Sequence, residues 1–348
     1  MSAMKAAVLH GIEDLRLEDR ALPRLQKPDD VLIRVRAIGV CGSDIHYYRH
    51  GRIGRFVVEA PMVLGHECAG EVVGVGSAVA TLEVGDRVAV EPGVPCRQCE
   101  SCRTGRYNLC PDVAFLATPP VDGAFCEFIV SPADFAFKLP DTVSLGAGAM
   151  MEPLSVGFHA ARRGRLTAGD TVAILGAGPI GQTAFQAARA FGAATTIMTD
   201  VVPYRLDFAR RAGATHVLNS GETDPVAAVQ DLTAGRGADV VIECAGAPDT
   251  LQQGIRMVKR GGKVVVVGLP AVAELPLPMH EVTTREADLC GIFRYANVYG
   301  RAIAATAAGQ CEVESLITHR WGLLQAEEAV LFADEHKNEC MKVLVEIA

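Results

Sequence analysis

Two textures of apolar and polar positions divide this 348-residue chain. From Lys5 to about Pro140 the apolar residues alternate with polar ones in short runs broken by Gly and Pro. That period of two predicts strands at residues 6–9, 31–37, 70–75, 87–90 and 124–130. Many short strands with frequent turns pack as a distorted antiparallel barrel or sandwich. From Asp170 onward the strands become apolar throughout, at 171–175, 195–199, 238–243 and 263–268, with helix-like stretches at 179–190 and 204–212 between them. Strands apolar on both faces and joined by helical crossovers predict a doubly wound parallel sheet. Beyond about Cys290 the period is helical through 302–308 and 326–332, and a terminal strand at 342–347 can rejoin the first domain. The expected organisation is therefore α/β with two domains: 1–155, 156–293, and a return to the first over 294–348.

Composition narrows the classes of function. Hydrophobic residues make up 49% and charged residues 21%, as in packed globular domains. The formal charge is −8, from 33 basic and 41 acidic residues, and no basic run occurs. Nothing supplies the cationic footprint that nucleic acid or an anionic membrane needs, so neither partner is expected. Residues 1–18 lack a secretory pattern and no uninterrupted run of eighteen apolar residues exists, so the expectation is a cytosolic protein. In that compartment clustered cysteines, among the eleven present, point to metal rather than to disulfides.

Gly176-Ala-Gly178-Pro-Ile180-Gly181 follows an apolar strand and opens a helix. The first glycine permits a tight turn, the second lets the backbone approach a pyrophosphate, and the third allows close packing of helix on strand, with the helix N-terminus facing the phosphates. Asp200 ends the next strand 24 residues beyond Gly176 (200 − 176), close to the interval at which a carboxylate accepts hydrogen bonds from an adenosine ribose. That carboxylate would repel a 2′-phosphate, which favours NAD over NADP. Arg205 can receive such a phosphate, or can instead cover the adenine or pair with Asp200.

Cys96, Cys99, Cys102 and Cys110 lie in a loop rich in Pro, Gly and polar residues. Four thiolates at this spacing can close a tetrahedral zinc site with no open position, which is a structural site. A second set is dispersed: Cys41 in a Gly-Val-Cys-Gly-Ser-Asp turn, His66 and Glu67 after Gly65, and Glu152 in Met-Glu-Pro. Thiolate, imidazole and carboxylate suit a catalytic zinc that keeps a position for water or substrate. Taken singly, each of these side chains is as readily structural.

Cys41-Gly-Ser-Asp44, Gly65-His-Glu67, the four-cysteine lobe and the Gly176 fingerprint together resemble the zinc-dependent medium-chain dehydrogenases along essentially the whole chain. Within that family the polyol dehydrogenase branch is matched by Tyr48-Arg-His-Gly-Arg-Ile-Gly-Arg-Phe56, Ala117-Thr-Pro-Pro-Val-Asp-Gly123, Glu152-Pro-Leu-Ser-Val156 and Gly291-Ile-Phe-Arg-Tyr-Ala-Asn297. The resemblance implies a barrel-like (GroES-like) catalytic domain interrupted by a Rossmann domain, and a homotetramer. It implies that Cys41, His66 and Glu67 hold the catalytic zinc, with a water that contacts Glu152. Either carboxylate can be the inner ligand. It further implies NAD binding by Gly176, Gly178, Ile180, Gly181, Asp200, Arg205, Val267, Gly268, Leu269, Ile292, Phe293 and Arg294. The implied reaction is oxidation of a polyol hydroxyl beside the zinc, with hydride passing to the nicotinamide. Ser43 can take the hydroxyl proton and His46 can carry it through the cofactor ribose to solvent, unless they are a turn residue and a surface histidine. Tyr47, Phe115, Thr118, Glu152, Arg294 and Tyr295 are the expected substrate contacts, although Arg294 can equally be a structural ion-pair residue.

Overall fold

The computed structural model describes residues 3–270, 272 and 274–348. They form two compact units: residues 1–152 with 299–307 and 313–348, and residues 153–298 with 308–312.

The first unit is β-rich. Its main sheet has seven strands, running Ala136–Lys138, Arg87–Val90, Glu67–Val75, Asp30–Gly39, Lys342–Glu346 and Ile317–Gly322, with Phe128–Pro132 also paired to Asp30–Gly39. A smaller sheet joins Asp14–Ala21, Ala3–Gly11 and Met62–Val63. Side chains such as Ile33, Ile38, Leu64 and Phe125 are fully buried between them. The alternation along Asp30–Gly39 explains why: one face is buried throughout and the other only partly. The terminal strand Lys342–Glu346 pairs antiparallel with Asp30–Gly39 through Leu344, Val345 and Glu346. One expectation is corrected here. The strand expected over 124–130 begins only at Phe128, because Phe125 is bridged instead by its own N–H to Leu64 and by its carbonyl to Ala7.

The second unit holds a six-stranded parallel sheet in the order His216–Asn219, Thr195–Asp200, Thr171–Leu175, Ala238–Glu243, Val258–Val266, Asp288–Gly291. Chain order reverses between the strands at 171–175 and 238–243, which makes the switch point at which such sheets bind nucleotides. Thr171–Leu175 is buried along its whole length, as its unbroken apolar run requires. The strand expected at 263–268 starts earlier, at Val258, and ends at Val266; Val267 and Gly268 then both donate to the Glu243 carbonyl. The architecture is thus a GroES-like β-rich domain and a Rossmann-like parallel sheet. No helix among the described residues is long and apolar enough to cross a membrane.

Candidate metal centres and nucleotide groove

Cys41 is the N-cap of the helix Gly42–His50, at the point where the strand Asp30–Gly39 has just left the sheet. The helix is locked by Asp44, whose carboxylate accepts from the Cys41 amide at 2.9 Å and from the Gly65 amide at 2.9 Å. This fully buried side chain ties the Cys41 turn to the turn that carries His66, and its Oδ1 lies 4.0 Å from His66 Nδ1. That separation is within ion-pair range and too long for a hydrogen bond. Sequence reasoning missed this role, although an acidic residue at the third helical position is itself a capping signal.

Glu67 begins the strand Glu67–Val75, opposite Gly39 on the neighbouring strand. A Cβ at Gly39 would lie 2.0 Å from Glu67 Oε2, so only glycine leaves room for the carboxylate to turn in. Lys342 Nζ donates to both Glu67 oxygens, at 2.7 and 2.6 Å, and to the Val40 carbonyl at 3.0 Å. Both side chains are almost wholly buried. Lys342 was not among the expected site residues; nothing in its local sequence separates it from the first residue of any strand.

Ligand atoms of Cys41, His66 and Glu67 all lie within 4.8 Å of one another. Glu152 is buried in the first turn of the helix Met151–Arg163. Burial works against a charged His66, but the Cys41 sulfur and the Asp44 and Glu152 carboxyl groups outweigh it and lift the imidazole to about 10. Thiol, imidazole and carboxylate are together the donor types that zinc accepts. The donor set therefore fits a catalytic-type zinc site.

The remaining expected residues of this unit take different positions. Phe115 is buried with its ring centroid 5.5 Å from that of His66. Tyr47 is buried on the same helix as Asp44, Ser43 is half-buried in its first turn, and His46 is exposed with its ring 5.6 Å from His50. Thr118 is half-buried in the turn that bridges to Val121.

The four cysteines of the lobe form a second cluster. The sulfurs of Cys99 and Cys102 are 3.4 Å apart and those of Cys96 and Cys102 4.0 Å. A tetrahedron with zinc–sulfur bonds near 2.3 Å has edges of about 3.8 Å, so the spacing already suits the ion. Amide hydrogens of Cys96 and Cys99 point at Cys110 and Cys96 sulfurs, at 3.3 and 3.4 Å. Such donors favour a thiolate, and the Cys96 thiol is lowered to about 7, chiefly by backbone N–H groups, while burial raises the thiols of Cys102 and Cys110. This is a structural zinc site.

In the second unit, Gly176 has φ of 94°, and a Cβ at Gly181 would lie 1.8 Å from the Gly176 carbonyl oxygen, so the turn closes only with glycine. The helix Pro179–Ala190 starts beside a groove of about 350 Å³ that also exposes Gly178, Ile180, Asp200 and Arg205. Asp200 accepts from the amides of Ala177, Val201 and Val202 at 2.7–2.9 Å, which fixes its carboxylate at the groove. Arg205 Nη1 is 3.9 Å from it, a loose pair. Val267, Gly268 and Leu269 follow the strand Val258–Val266, and Ile292 and Phe293 follow Asp288–Gly291, all beyond the carboxyl ends of the sheet. Arg294 has φ of 53° with its guanidinium 4.8 Å from the Phe293 ring centre, and Tyr295 is buried.

Residues 27–141 match the family model described as an alcohol dehydrogenase GroES-like domain, and residues 179–308 that of a zinc-binding dehydrogenase. A sorbitol dehydrogenase from Bacillus subtilis is 51% identical over 98% of this chain and 97% of its own. A probable D-xylulose reductase A from Neosartorya fischeri is 45% identical over 97% of this chain and 95% of its own. Among solved structures, an Escherichia coli oxidoreductase/dehydrogenase of unknown specificity superposes with a TM-score of 0.95 at 37% identity, covering 99% of both chains.

Proposed function

This chain belongs to the zinc-dependent medium-chain dehydrogenase/reductase family, and we propose that within it the protein oxidises an open-chain polyol, of the sorbitol, xylitol or galactitol type, at a secondary hydroxyl to give a ketose, with NAD as hydride acceptor. The observation that carries the substrate class is the 51% identity with a sorbitol dehydrogenase over 98% of the chain. The homotetramer and the cytosolic location rest on the family resemblance and on the sequence alone.

Cys41, His66 and Glu67 would hold the zinc, with Glu152, outside that cluster but near enough for its charge to reach His66, as the further carboxylate; when bound, the ion supplies Lewis acidity toward a substrate hydroxyl. The Phe115 ring beside His66 offers an apolar wall for the carbon chain. Ser43 and His46 are three residues apart on one helix and so share a face. As the half-buried Ser43 hydroxyl takes up the substrate proton it releases its own, which the exposed imidazole of His46 can carry to solvent. Asp200, fixed by three amides, accepts ribose hydroxyls and repels a 2′-phosphate. A polyol bears a hydroxyl on every carbon and needs several polar partners, for which Tyr47, Thr118, Glu152, Arg294 and Tyr295 are the candidates.

The test is NADH formation with a panel of five- and six-carbon polyols, ethanol and threonine, repeated with NADP. Polyols with NAD should give the highest kcat/KM. Arg294→Ala should lower polyol efficiency by about tenfold or more, the cost of one lost hydrogen bond to a substrate hydroxyl, and affect ethanol less. Wild-type preference for ethanol or threonine over every polyol overturns the substrate class and leaves the zinc dehydrogenase intact.

A further inference from the structure

The second unit carries another groove, of about 630 Å³, at the opposite edge of its sheet from the nucleotide motif. It lies where the strands Ala238–Glu243 and Val258–Val266 begin, whereas the Gly176 turn and Asp200 lie where strands end. Six residues of strand separate the two edges, roughly 17–20 Å. Arg236, Arg256, Lys259, Arg260 and Arg285 line the groove together with Glu281, and Asp239 pairs with two of these cations, so positive charge is in excess over two carboxylates. In a chain of net charge −8, such a concentration of positive charge is not what a merely solvated face would show.

The backbone gathers these cations. A Cβ at Gly237 would meet the Met257 carbonyl oxygen at 2.7 Å, so only glycine lets the entry of one strand press against the entry of the next, bringing Arg236 beside Lys259. Both are then steadied by the same carboxylate, Asp239, to which Arg236 donates at 2.7 and 3.0 Å. Arg285 is held by Glu281 and by the Val258 carbonyl. Arg260 spends one guanidinium nitrogen on the Thr284 carbonyl, and the Arg256 guanidinium donates no hydrogen bond among the described residues and is felt only as a charge by Glu281. Two guanidinium forks are thus left open toward a groove whose other cations are already fixed in place.

We propose that this groove is an anion site, separate from the cofactor groove, that binds a chain of linked phosphate groups. Guanidinium forks match phosphate oxygens in pairs, and several of them in one concavity suit a multiply charged chain better than a lone phosphate. The volume lies in the range of small-molecule sites. No aromatic ring lines the groove among the described residues, so the phosphate chain and not a nucleobase is what it recognises.

The experiment is calorimetric titration of the zinc-loaded protein, saturated with NADH, with inorganic tripolyphosphate and in parallel with ATP, at about 0.1 M salt, where exposed single charges are largely screened. Saturable binding of tripolyphosphate is expected, with orthophosphate far weaker. In the variant R256Q/R260Q, both at exposed positions, the affinity for tripolyphosphate and ATP should fall together by about tenfold or more. Stripping of zinc by the phosphates would be equal in the two proteins, so the difference between them reads the groove. Absence of saturable binding with NADH present, equal affinity in wild type and variant, or ATP binding that persists in the variant overturns the proposal.

Discussion

The two metal centres of the first unit solve the same problem by opposite routes. In the lobe, Cys96 and Cys110 are 14 residues apart in sequence, the donors are identical, and backbone amides of the loop itself stabilise the sulfurs. In the other centre a helix cap, a turn and a strand start each give one donor, and charge is balanced by Lys342, 275 residues from Glu67. The lobe closes a short loop at small entropic cost and leaves the ion no free position. The dispersed site leans on the whole sheet and gains mixed donors that leave room for chemistry. Cheap assembly and reactivity are thus placed in different parts of one domain.

That contrast can be broken at several points. The largest effect should come from Cys41→Ser, which removes the thiolate: turnover should fall by about a thousandfold or more, on the order of 4 kcal/mol, while elemental analysis still finds about one zinc per chain in the lobe. Near-normal turnover with about two zinc ions would remove Cys41 from the centre. Next comes Lys342→Met, which leaves the Glu67 carboxylate buried without its partner. Breaking such a pair should cost about 3 kcal/mol in metal-free protein and distinctly less once zinc is bound, as read by denaturant unfolding in both states. Equal losses in the two states would mean that the ion and Lys342 do not share Glu67. The smallest effect should follow Cys99→Ser, with one zinc lost and thermal unfolding lowered by roughly 4–8 °C, the shift that about 2 kcal/mol gives in a domain of this size. Activity at low temperature should persist; its abolition together with loss of both ions would show the two centres to be coupled.

Features written in contiguous residues were legible before any coordinates. The strand Thr171–Leu175 and the helix Pro179–Ala190 fall where an apolar run, a glycine turn and an N1 proline place them. The four-cysteine spacing likewise declares its cluster. What was hidden depends on distant partners. Lys342 opens an apolar terminal strand, and only the pairing of that strand with Asp30–Gly39 brings its ammonium to Glu67. Asp44 sat in plain view within the Cys41 motif, yet its bond to the Gly65 amide comes from the tertiary fold. Residues 124–127, Ala-Phe-Cys-Glu, take irregular bonds to three other segments, at Leu64 and Gly65, at Lys5 and Ala7, and at Val35, which the local sequence does not distinguish from a strand.

The separation between Glu67 and Lys342 also sets a clock on biosynthesis. At about 5–20 residues per second, the 275 residues that divide them take a ribosome roughly 14–55 seconds, whereas the 14 residues from Cys96 to Cys110 take about 1–3 seconds. The lobe can capture its ion while the nascent chain is still being made. Through that interval the carboxylate of Glu67 waits without its ammonium, so the reactive centre matures last, after the Rossmann unit has already emerged.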